Sequence, residues 1–444
     1  MYHAENNLKY KMSLAKWRKN FAKKVLINSF TALLCLAGLD LSAQDLAFPG
    51  ALGWAADTPG GRGGKIIRVT NLNADGPGSF IEAAQTSGKR IIVFEVGGII
   101  DLKGRVLSIG EPFLTIAGQT APSPGITFID GGIGIKTHDV IVQHIRIRTG
   151  ASRHEKGKWE PDAMAANSGS NVIIDHCSFT WAVDENCSTS GPRFNGNTPD
   201  EWRKGTSHRV TMSNNIIAEG LSKSTHMKGE HSKGTLIHDN AEEILVYGNL
   251  YASNQDRNVL FKGGSRGIYA NNYVNNPGRN NVRYGLVNEE WEGHPHETGK
   301  MTIIGNVMQH GPSSSDMPFF FVGNGPCEAY LEDNIALRIN GKPAKMVGGD
   351  STRLVARKPV WFDKLKVIKA AEVKDYVAKN AGARPWDRDE NDQRIVDEML
   401  TGKGKIIDSE NEVGGYPQHK RTTQAFSEKD WDLKYMIKKK GKLN

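Results

Sequence analysis

Cysteine is scarce in this chain of 444 residues, which contains only four. Cys35 lies in the N-terminal segment, and the other three are Cys177, Cys187 and Cys327. An odd number beyond that segment excludes a framework in which every thiol is paired. A bridge between Cys177 and Cys187 stays open on sequence grounds, but Cys177 ends an apolar run typical of a buried strand. We therefore expect all three to act as small packing residues.

Net charge is also small once the N-terminal segment is set aside. Residues 1–43 contain seven of the 57 Lys and Arg and two of the 49 Asp and Glu, which leaves 50 basic and 47 acidic side chains. Such a balance indicates no particular partner, so any affinity for a polyanion must come from local clusters. The organised basic and aromatic pattern of a nucleic-acid module is absent as well. We expect no nucleic-acid partner.

Long hydrophobic runs are absent except near the N-terminus. A basic stretch there precedes an apolar run from Val25 to Leu39, and small residues follow at Leu41-Ser42-Ala43. This order is typical of a secretory signal peptide. A membrane anchor is the alternative, but polar residues such as Asn28 interrupt a run that is already too short to span a bilayer. We predict that residues 1–43 are a signal peptide and that the mature protein is secreted, extracellular or periplasmic, without membrane attachment.

What the chain does contain is a repeat of short strand-like segments that end in Asn and an apolar residue. The pairs are Asn215-Ile216, Asn249-Leu250, Asn272-Tyr273, Asn306-Val307 and Asn334-Ile335, and successive Asn follow at spacings of 34, 23, 34 and 28 positions. Strands at such spacing bury a face only by stacking on the next turn of the chain. Asn is a common turn residue, but its recurrence at one point of each segment favours a stacked amide ladder. The sequence predicts an all-β parallel β-helix.

Helical periodicity is confined to a few places. One candidate helix, near Ala83, lies where it could cap the first turn of the coil. Another covers about Ala370 to Lys379, and a further helix carries Ile395, Val396, Met399 and Leu400 before Gly402. We place a boundary near residue 350, where strand repeats give way to this charged section. The predicted domains are a β-helix over 44–350 and a helical and irregular C-terminal extension over 351–444.

Several segments carry a family resemblance, namely Thr115 to Pro122, Asn171 to Phe179, Lys228 to Gly234 and Arg257 to Gly264. From about Phe48 to residue 340, the chain resembles the pectate lyases, which are polysaccharide lyases built on a right-handed parallel β-helix. The stretch from Ala381 to Pro385 is similar to the C-terminal extension of a secreted branch of that family. The resemblance implies a calcium-dependent enzyme that acts on acidic plant cell-wall polysaccharide.

The implied reaction determines which residue types the site needs. A lyase of this class removes the C5 proton of a uronate, so negative charge builds on the adjacent carboxylate. Ca²⁺ stabilises such charge and takes carboxylate ligands. By resemblance, Asp162, Asp184 and Glu185 are the calcium ligands, and the plainer alternative is that they are loop acids exposed to water. Ser188 stands where the family usually has a further aspartate, so either Glu185 substitutes for it or the cation bonds mainly to substrate.

The resemblance assigns the proton acceptor to Arg257, with Lys262 as a second basic, substrate-binding residue of the same motif. Val259 stands where proline is usual, and Lys262 replaces a frequent arginine, which keeps the charge and loses bidentate geometry. Arginine is a poor base because its guanidinium stays protonated. Neighbouring cations must therefore depress its pKa. A surface ion pair is the alternative role for Arg257.

Lys223 falls about where the family places a lysine on the substrate carboxylate, so it is predicted to be a second catalytic residue. A strip of imidazoles and amines follows it, formed by His226, Lys228, His231 and Lys233. We predict that His226, Lys228 and His231 bind uronate carboxylates. A solvated loop or a zinc site are the alternatives, but no His-Glu-x-x-His pattern occurs.

The resemblance therefore predicts a secreted, monomeric pectate lyase that cleaves (1→4)-α-D-galacturonan by calcium-assisted β-elimination to unsaturated oligogalacturonides. One alternative is a lyase on another polyuronate, such as alginate or rhamnogalacturonan. Another is a non-catalytic β-helix that binds polysaccharide, since a fold does not determine function. Formation of an unsaturated product separates the enzyme from the binder.

Overall fold

Three strands per turn form a coil in the computed structural model, which describes residues 45–439. Each strand pairs in parallel with the equivalent strand one turn further along the chain. The fold is the right-handed parallel β-helix that the sequence predicts. The predicted signal peptide lies outside the described residues. Within them, no helix combines the length and the apolar character needed to cross a membrane.

The strands form three columns. The first column consists of Lys65–Val69, Arg90–Phe94, Leu114–Ala117, His138–Gln143, Ser170–Asp175, His208–Ser213, Glu242–Tyr247, Arg266–Ala270, Gly299–Ile304 and Cys327–Glu332. The long strands Val96–Ile109 and Ile126–Ile135 begin the other two columns together. The second column continues with Ile145–Arg148, Ser178–Thr180, Ile216–Ala218, Leu250–Ala252, Tyr273–Asn275, Val307–Gln309 and Ile335–Leu337, and the third with Met164–Asn167, Glu185–Ser190, Lys233–Ile237, Leu260–Lys262, Val282–Gly285, Phe320–Val322 and Val347–Gly349.

Smaller elements decorate the coil. The α-helices are α1 (Phe80–Gln85), α2 (Pro199–Gly205), α3 (Ala370–Asn380) and α4 (Glu390–Thr401). Short 3-10 helices lie at Gly118–Thr120, Asn288–Trp291, Ser351–Arg353, Glu410–Val413 and Glu428–Asp430. Thr422–Thr423 pairs antiparallel with the start of the strand Val96–Ile109, and Trp431–Asp432 pairs with Ile437–Lys438. The C-terminal segment thus returns to the first turns of the coil.

The predicted asparagine ladder is confirmed. Asn215 donates from its backbone N–H and from Nδ2 to Oδ1 of Asn249, at 2.8 and 3.0 Å. The same pair of bonds recurs from Asn249 to Asn272, from Asn272 to Asn306 and from Asn306 to Asn334. The backbone N–H of Cys177 donates to Oδ1 of Asn215 and begins the ladder. Hydrogen bonds of these buried amides therefore connect each turn of the coil to the next, which fixes how successive turns stack.

The predicted helices are confirmed, and one further helix was not predicted. Helix α1 places Phe80 in the core beside Phe94 and Phe128. Gly402 ends α4 in the left-handed conformation, with φ of 67°. The unpredicted helix, α2, begins with a capping box in which Thr198 and Glu201 bond each other's backbone N–H groups. A capping box is a recognisable sequence signal for the start of a helix. This helix, however, is too short to show a periodic pattern of apolar residues.

Helices α3 and α4 cover the outer face of the second column. Val377 and Ile395 pack there against apolar side chains that point away from the coil, among them Leu250. Beside them, Arg148 donates to both carboxylate oxygens of Asp389, and Arg146 donates from Nε to Asp392 at 3.1 Å. All four charged side chains are buried. Four buried charges joined this closely attach the C-terminal extension firmly to the coil, because neither side can leave without stranding unpaired charge.

All three described cysteines are buried and free, as the sequence analysis expected. Cys187 lies 3.6 Å from the sulfur of Met212, and Cys177 lies inside the core. Burial raises the pKa of Cys187 well above its ordinary value. These thiols therefore act as packing groups and not as nucleophiles.

Candidate active site

The site lies where strands of the third column begin, because parallel stacking brings these starts into line. Glu185 begins one strand and pairs in register with Lys233, which begins the next strand of the column. Lys233 in turn forms a bridge with Asp256, and Arg257 follows directly. Asp162 lies one turn earlier, where the backbone N–H of Ala163 donates to the carbonyl of Glu185 at 3.0 Å. Residues far apart in the sequence therefore form one row of charged side chains.

Three carboxylates form the acidic part of the row. One oxygen each of Asp162, Asp184 and Glu185 can be chosen so that all lie within 4.8 Å of one another. Asp162 is held in place by the backbone N–H of Glu185, at 2.9 Å, and by the hydroxyl of Ser188, at 2.5 Å. Burial, together with the charge of Asp184, raises the pKa of Asp162 to about 7. The three carboxylates together form an oxygen-rich set, and a hard divalent cation fits such a set.

Arg257 faces this acidic group. One terminal nitrogen of its guanidinium contacts Oε1 of Glu185, and its backbone adopts a left-handed φ of 58° that is uncommon for a side chain of this size. The neighbouring Asp256 stabilises that turn by accepting the Arg257 N–H at 2.6 Å. Burial lowers the pKa of Arg257 to about 10, although the charges of Asp184 and Asp162 oppose the shift. The guanidinium is thus both partly dehydrated and aimed at the carboxylates.

A lysine and two histidines form the next part of the row. Nζ of Lys233 lies 2.6 Å from Nε2 of His231 and 3.8 Å from Oδ1 of Asp184. The rings of His226 and His231 stack with centroids 3.4 Å apart, and His226 lies 3.6 Å from Glu160. Burial lowers the pKa of Lys233 and of His226. Of the predicted substrate-binding residues, His226 and His231 therefore lie beside the carboxylates.

Lys228 is exposed at the edge of the row. Its backbone N–H donates to Nδ1 of His226 at 3.0 Å, and its charge is near enough to Lys233 to lower the pKa of that amine further. Lys228 is thus close to the site, with its amine in solvent.

Two predicted residues lie elsewhere. Lys223 is exposed, and its backbone N–H donates to Asp408 at 2.9 Å; among the described residues, no ion pair links its side chain to the carboxylates. Lys233 stands beside Asp184 instead, because the third-column strand begins there. The amine of Lys262 contacts Glu290 and lies 3.3 Å from Asp239, so two acids already balance its charge. Lys223 therefore lies away from the carboxylates, and Lys233 is the lysine beside them.

The structure also adds residues that sequence reasoning did not select. Arg279 and Arg283 each lie 3.6 Å from the Asp256 carboxylate, in the turn after Arg257. Arg283 pairs in register with Leu260 of the neighbouring strand, and its charge helps to lower the pKa of Arg257. No motif marks either arginine, so only stacking of the turns reveals that the row continues in this direction.

Comparison with known proteins agrees with the fold and the site. The pectate lyase family model matches residues 23–384 of the chain. A probable pectate lyase C of Aspergillus flavus is 34% identical over 394 residues, which cover 86% of this chain and 84% of the relative. A probable pectate lyase C of Emericella nidulans is 33% identical over 382 residues, with 83% and 80% covered. The fold and these matches together identify the chain as a β-helical enzyme that acts on polysaccharide. The chain belongs to the pectate lyase family.

Solved structures share the coil at low sequence identity. A pectate lyase bound to a hexasaccharide superposes with a TM-score of 0.55 at 16% identity, over 78% of this chain and 99% of the other. A pectate lyase studied for its substrate specificity and anti β-elimination mechanism gives a TM-score of 0.52 at 15% identity, over 75% and 96%. Identities this low support the fold alone.

Proposed function

We propose that this enzyme is exported and, as a monomer, cleaves (1→4)-α-D-galacturonan by calcium-assisted β-elimination to unsaturated oligogalacturonides. The observation that carries the proposal is the position of the Arg257 guanidinium against the group of Asp162, Asp184 and Glu185. Elimination needs a base beside C5 and positive charge on the adjoining carboxylate. The row of third-column strand starts supplies groups of both kinds along one edge of the coil.

Arg257 is the group that removes the C5 proton. Its burial makes the neutral guanidine more accessible than that of an arginine in water, because desolvation disfavours the charged form. After accepting the proton, the guanidinium regains its charge beside Glu185 and Asp184, where that charge is favourable. The left-handed turn at Arg257 fixes the side chain on this edge, so little reorganisation is needed when substrate binds.

Lys233 and His231 hold the uronate carboxylate. Both are buried and joined at 2.6 Å, so a carboxylate placed there replaces contacts that the two groups now make with each other and with Asp184. When bound by Asp162, Asp184 and Glu185, Ca²⁺ supplies Lewis-acid stabilisation of the charge that develops on the substrate. His226, Lys228 and Lys262 remain proposed substrate contacts, with Lys262 the most strongly neutralised by protein acids.

Release of unsaturated product, followed by its ultraviolet absorbance, tests this function. We expect turnover on polygalacturonate, loss of turnover in excess chelator, and recovery when Ca²⁺ is added back. Alginate and rhamnogalacturonan, assayed in parallel, test the alternative substrates. Full activity in excess chelator would rule out the metal role, and turnover on alginate alone would overturn the substrate.

Export rests on the pattern of residues 1–43, where basic residues, an apolar run and a small-residue exit follow one another. Expression of the whole chain in a secreting host, with N-terminal sequencing of the recovered protein, tests the proposal. We expect the mature chain to begin at or near residue 44. Recovery of only the intact chain from the cell interior would contradict it.

A further inference from the structure

One cavity of the described chain lies outside the row of charged strand starts. Its volume is about 640 Å³, and its walls come from the turn between the first and second columns, from residues 384–386 and from the tail that includes Trp431 and Tyr435. Volumes of about 300–1,000 Å³ are usual for sites that enclose a small ligand. No residue assigned to the lyase reaction lines this cavity.

One wall is a row of rings. His176 stacks on His144 with centroids 5.1 Å apart, and Trp386 meets His144 edge-on at 4.8 Å. The guanidinium of Arg384 lies over the Trp386 ring, 5.4 Å from its centroid. Trp386 nevertheless keeps 61% of its surface exposed, which is unusual for a side chain that contributes so much apolar area when covered.

The same wall carries hydrogen-bonding groups with unused capacity. Nδ1 of His176 lies 2.7 Å from Asp175, which leaves Nε2 as the ring atom without a hydrogen bond to any described residue. Asp175 is fully engaged, since Ser213, Asn214 and Gln143 also donate to it. These contacts orient the imidazole rigidly at the cavity wall.

Gln119 adds an acceptor to the cavity. Its Nε2 donates to Gln143 and to the backbone carbonyl of Met436, whereas Oε1 is buried and has no hydrogen-bond partner among the described residues. A buried acceptor without a partner is unfavourable because it has lost its bonds to water, so a ligand that donates a hydrogen bond to it is favoured. The unpaired oxygen of Gln119 and Nε2 of His176 are both acceptors, so they favour a ligand that carries several hydroxyl donors.

We propose that this cavity is a second binding site, specific for a saccharide. Two sugar hydroxyls can donate hydrogen bonds, one to Nε2 of His176 and one to Oε1 of Gln119, and the apolar C–H face of a pyranose ring covers the exposed indole of Trp386. A purely apolar ligand would leave the Gln119 oxygen unsatisfied, and a simple anion would leave the indole uncovered. The site is independent of the elimination reaction and would bind sugar even if the proposed substrate of the enzyme were wrong.

Fluorine NMR of the chain labelled with 5-fluorotryptophan tests the proposal. The Arg257→Ala background prevents cleavage, and the Trp386 resonance is assigned as the one that disappears in Trp386→Phe. Trigalacturonate is the acidic probe and β-1,4-galactotriose the neutral one. We expect a saturable shift of the Trp386 resonance with at least one probe. A response to trigalacturonate alone identifies an acidic chain as the occupant, and a response to both identifies recognition of the sugar ring itself.

Variants locate the binding event. The resonance of Trp431, which lines the same cavity, reports binding in the variants that lack Trp386. We expect Trp386→Ala to weaken saccharide binding at this site at least about tenfold, as is typical when a central tryptophan is truncated, and Trp386→Phe to retain part of it. Ile339→Ala, a change at another exposed apolar residue, is the matched control and should bind normally. Trp386→Ala in the chain with native Arg257 should retain lyase turnover. An unshifted Trp386 resonance with both probes, or unchanged affinity in Trp386→Ala, overturns the site.

Discussion

The guanidinium of Arg257 contacts the carboxylate of Glu185, which lies two turns earlier in the coil. Lys233 belongs to the turn between them and pairs in register with Glu185. The proposed base and a proposed calcium ligand therefore share one ion pair across three stacked turns. Any substitution that changes either partner also changes the electrostatic environment of the other.

The first prediction concerns the base itself. Arg257→Ala should lower kcat by about 10²–10⁴, the contribution typical of a positioned acid or base, and leave the fold intact because Arg257 lies at the edge of the coil. Arg257→Lys keeps a charge near Glu185 but not the reach of the guanidinium, so it should also be severely impaired. Product absorbance gives the rate, and circular dichroism checks the fold. Near-normal turnover in either variant contradicts the assignment.

The second prediction distinguishes two lysines. Lys233→Met removes the amine that lies beside His231 and Asp184, whereas Lys223→Met changes an exposed side chain. Loss of a hydrogen bond to a charged group costs about 1.5–3 kcal/mol. We expect kcat/KM to fall by about 10- to 150-fold in Lys233→Met and to stay near normal in Lys223→Met. The reverse ranking would identify Lys223 as the catalytic lysine and contradict the proposed role of Lys233.

The third prediction concerns the serine beside the acidic group. Ser188 donates to Asp162 at 2.5 Å, so Ser188→Asp replaces a donor by a fourth carboxylate. Repulsion should lower the Tm of the variant without calcium, and an extra anionic ligand should tighten calcium binding. Melting curves at several calcium concentrations and isothermal titration measure the two effects. Ser188→Ala is the control, and equal calcium affinity in both variants would show that Ser188 does not adjoin the cation.

The fourth prediction tests the asparagine ladder by position. Asn249 lies in its middle, where it accepts from Asn215 and donates to Asn272, whereas Asn334 ends it and is half-buried. Asn249→Ala leaves several buried groups unpaired, each at about 1–3 kcal/mol. We expect a clearly larger drop in the free energy of unfolding for Asn249→Ala than for Asn334→Ala in urea titrations. Equal losses would mean that the ladder does not act as a connected unit.

The fifth prediction concerns acid. Burial alone would raise the pKa of Asp389, but the charges of Arg148 and Arg146 outweigh it and hold that pKa well below its ordinary value. Stability from such a group is complete above the unfolded pKa of about 3.9 and is lost as the pH falls towards the folded pKa. Melting curves should therefore show Tm falling steeply below about pH 4.

Arg148→Leu is the matched variant for the acid experiment. Removal of one partner from a buried ion pair costs about 3–5 kcal/mol, so Tm at neutral pH should already be low. With Arg148 absent, the pKa of Asp389 is less depressed, and the acid-dependent part of the Tm change should shrink. The same acid slope in both chains would place the sensitivity in other carboxyl groups.

Much of the fold was predictable because its information is local or periodic. The ladder could be read from the recurrence of Asn before an apolar residue, and α4 from its apolar face and its terminal Gly402. Helix α2 was missed although Thr198, Pro199 and Glu201 form a standard start signal. The reason is that a helix of two turns has no periodicity to support that signal.

The site was predictable only in part, because its geometry depends on register between turns. Asp162, Asp184, Glu185 and Arg257 were selected by resemblance, and the coil brings them together. Which of Lys223 and Lys233 lies beside the carboxylates depends on where a loop ends and a strand begins, and irregular loop lengths conceal that point in the sequence. The buried ion pair of Arg148 and Asp389 could not be predicted from the sequence either, since the two residues are 241 positions apart.

The distance in sequence between Arg148 and Asp389 affects the order in which the chain folds during its synthesis. A polypeptide emerges from the ribosome with its N-terminal part first, so the turn that contains Arg148 is exposed long before its counter-charge exists. Contacts of such long range form late and slowly. Until the segment that contains Asp389 and Asp392 is synthesised, the nascent coil carries two guanidinium groups on a bare apolar flank, and docking of that segment covers them.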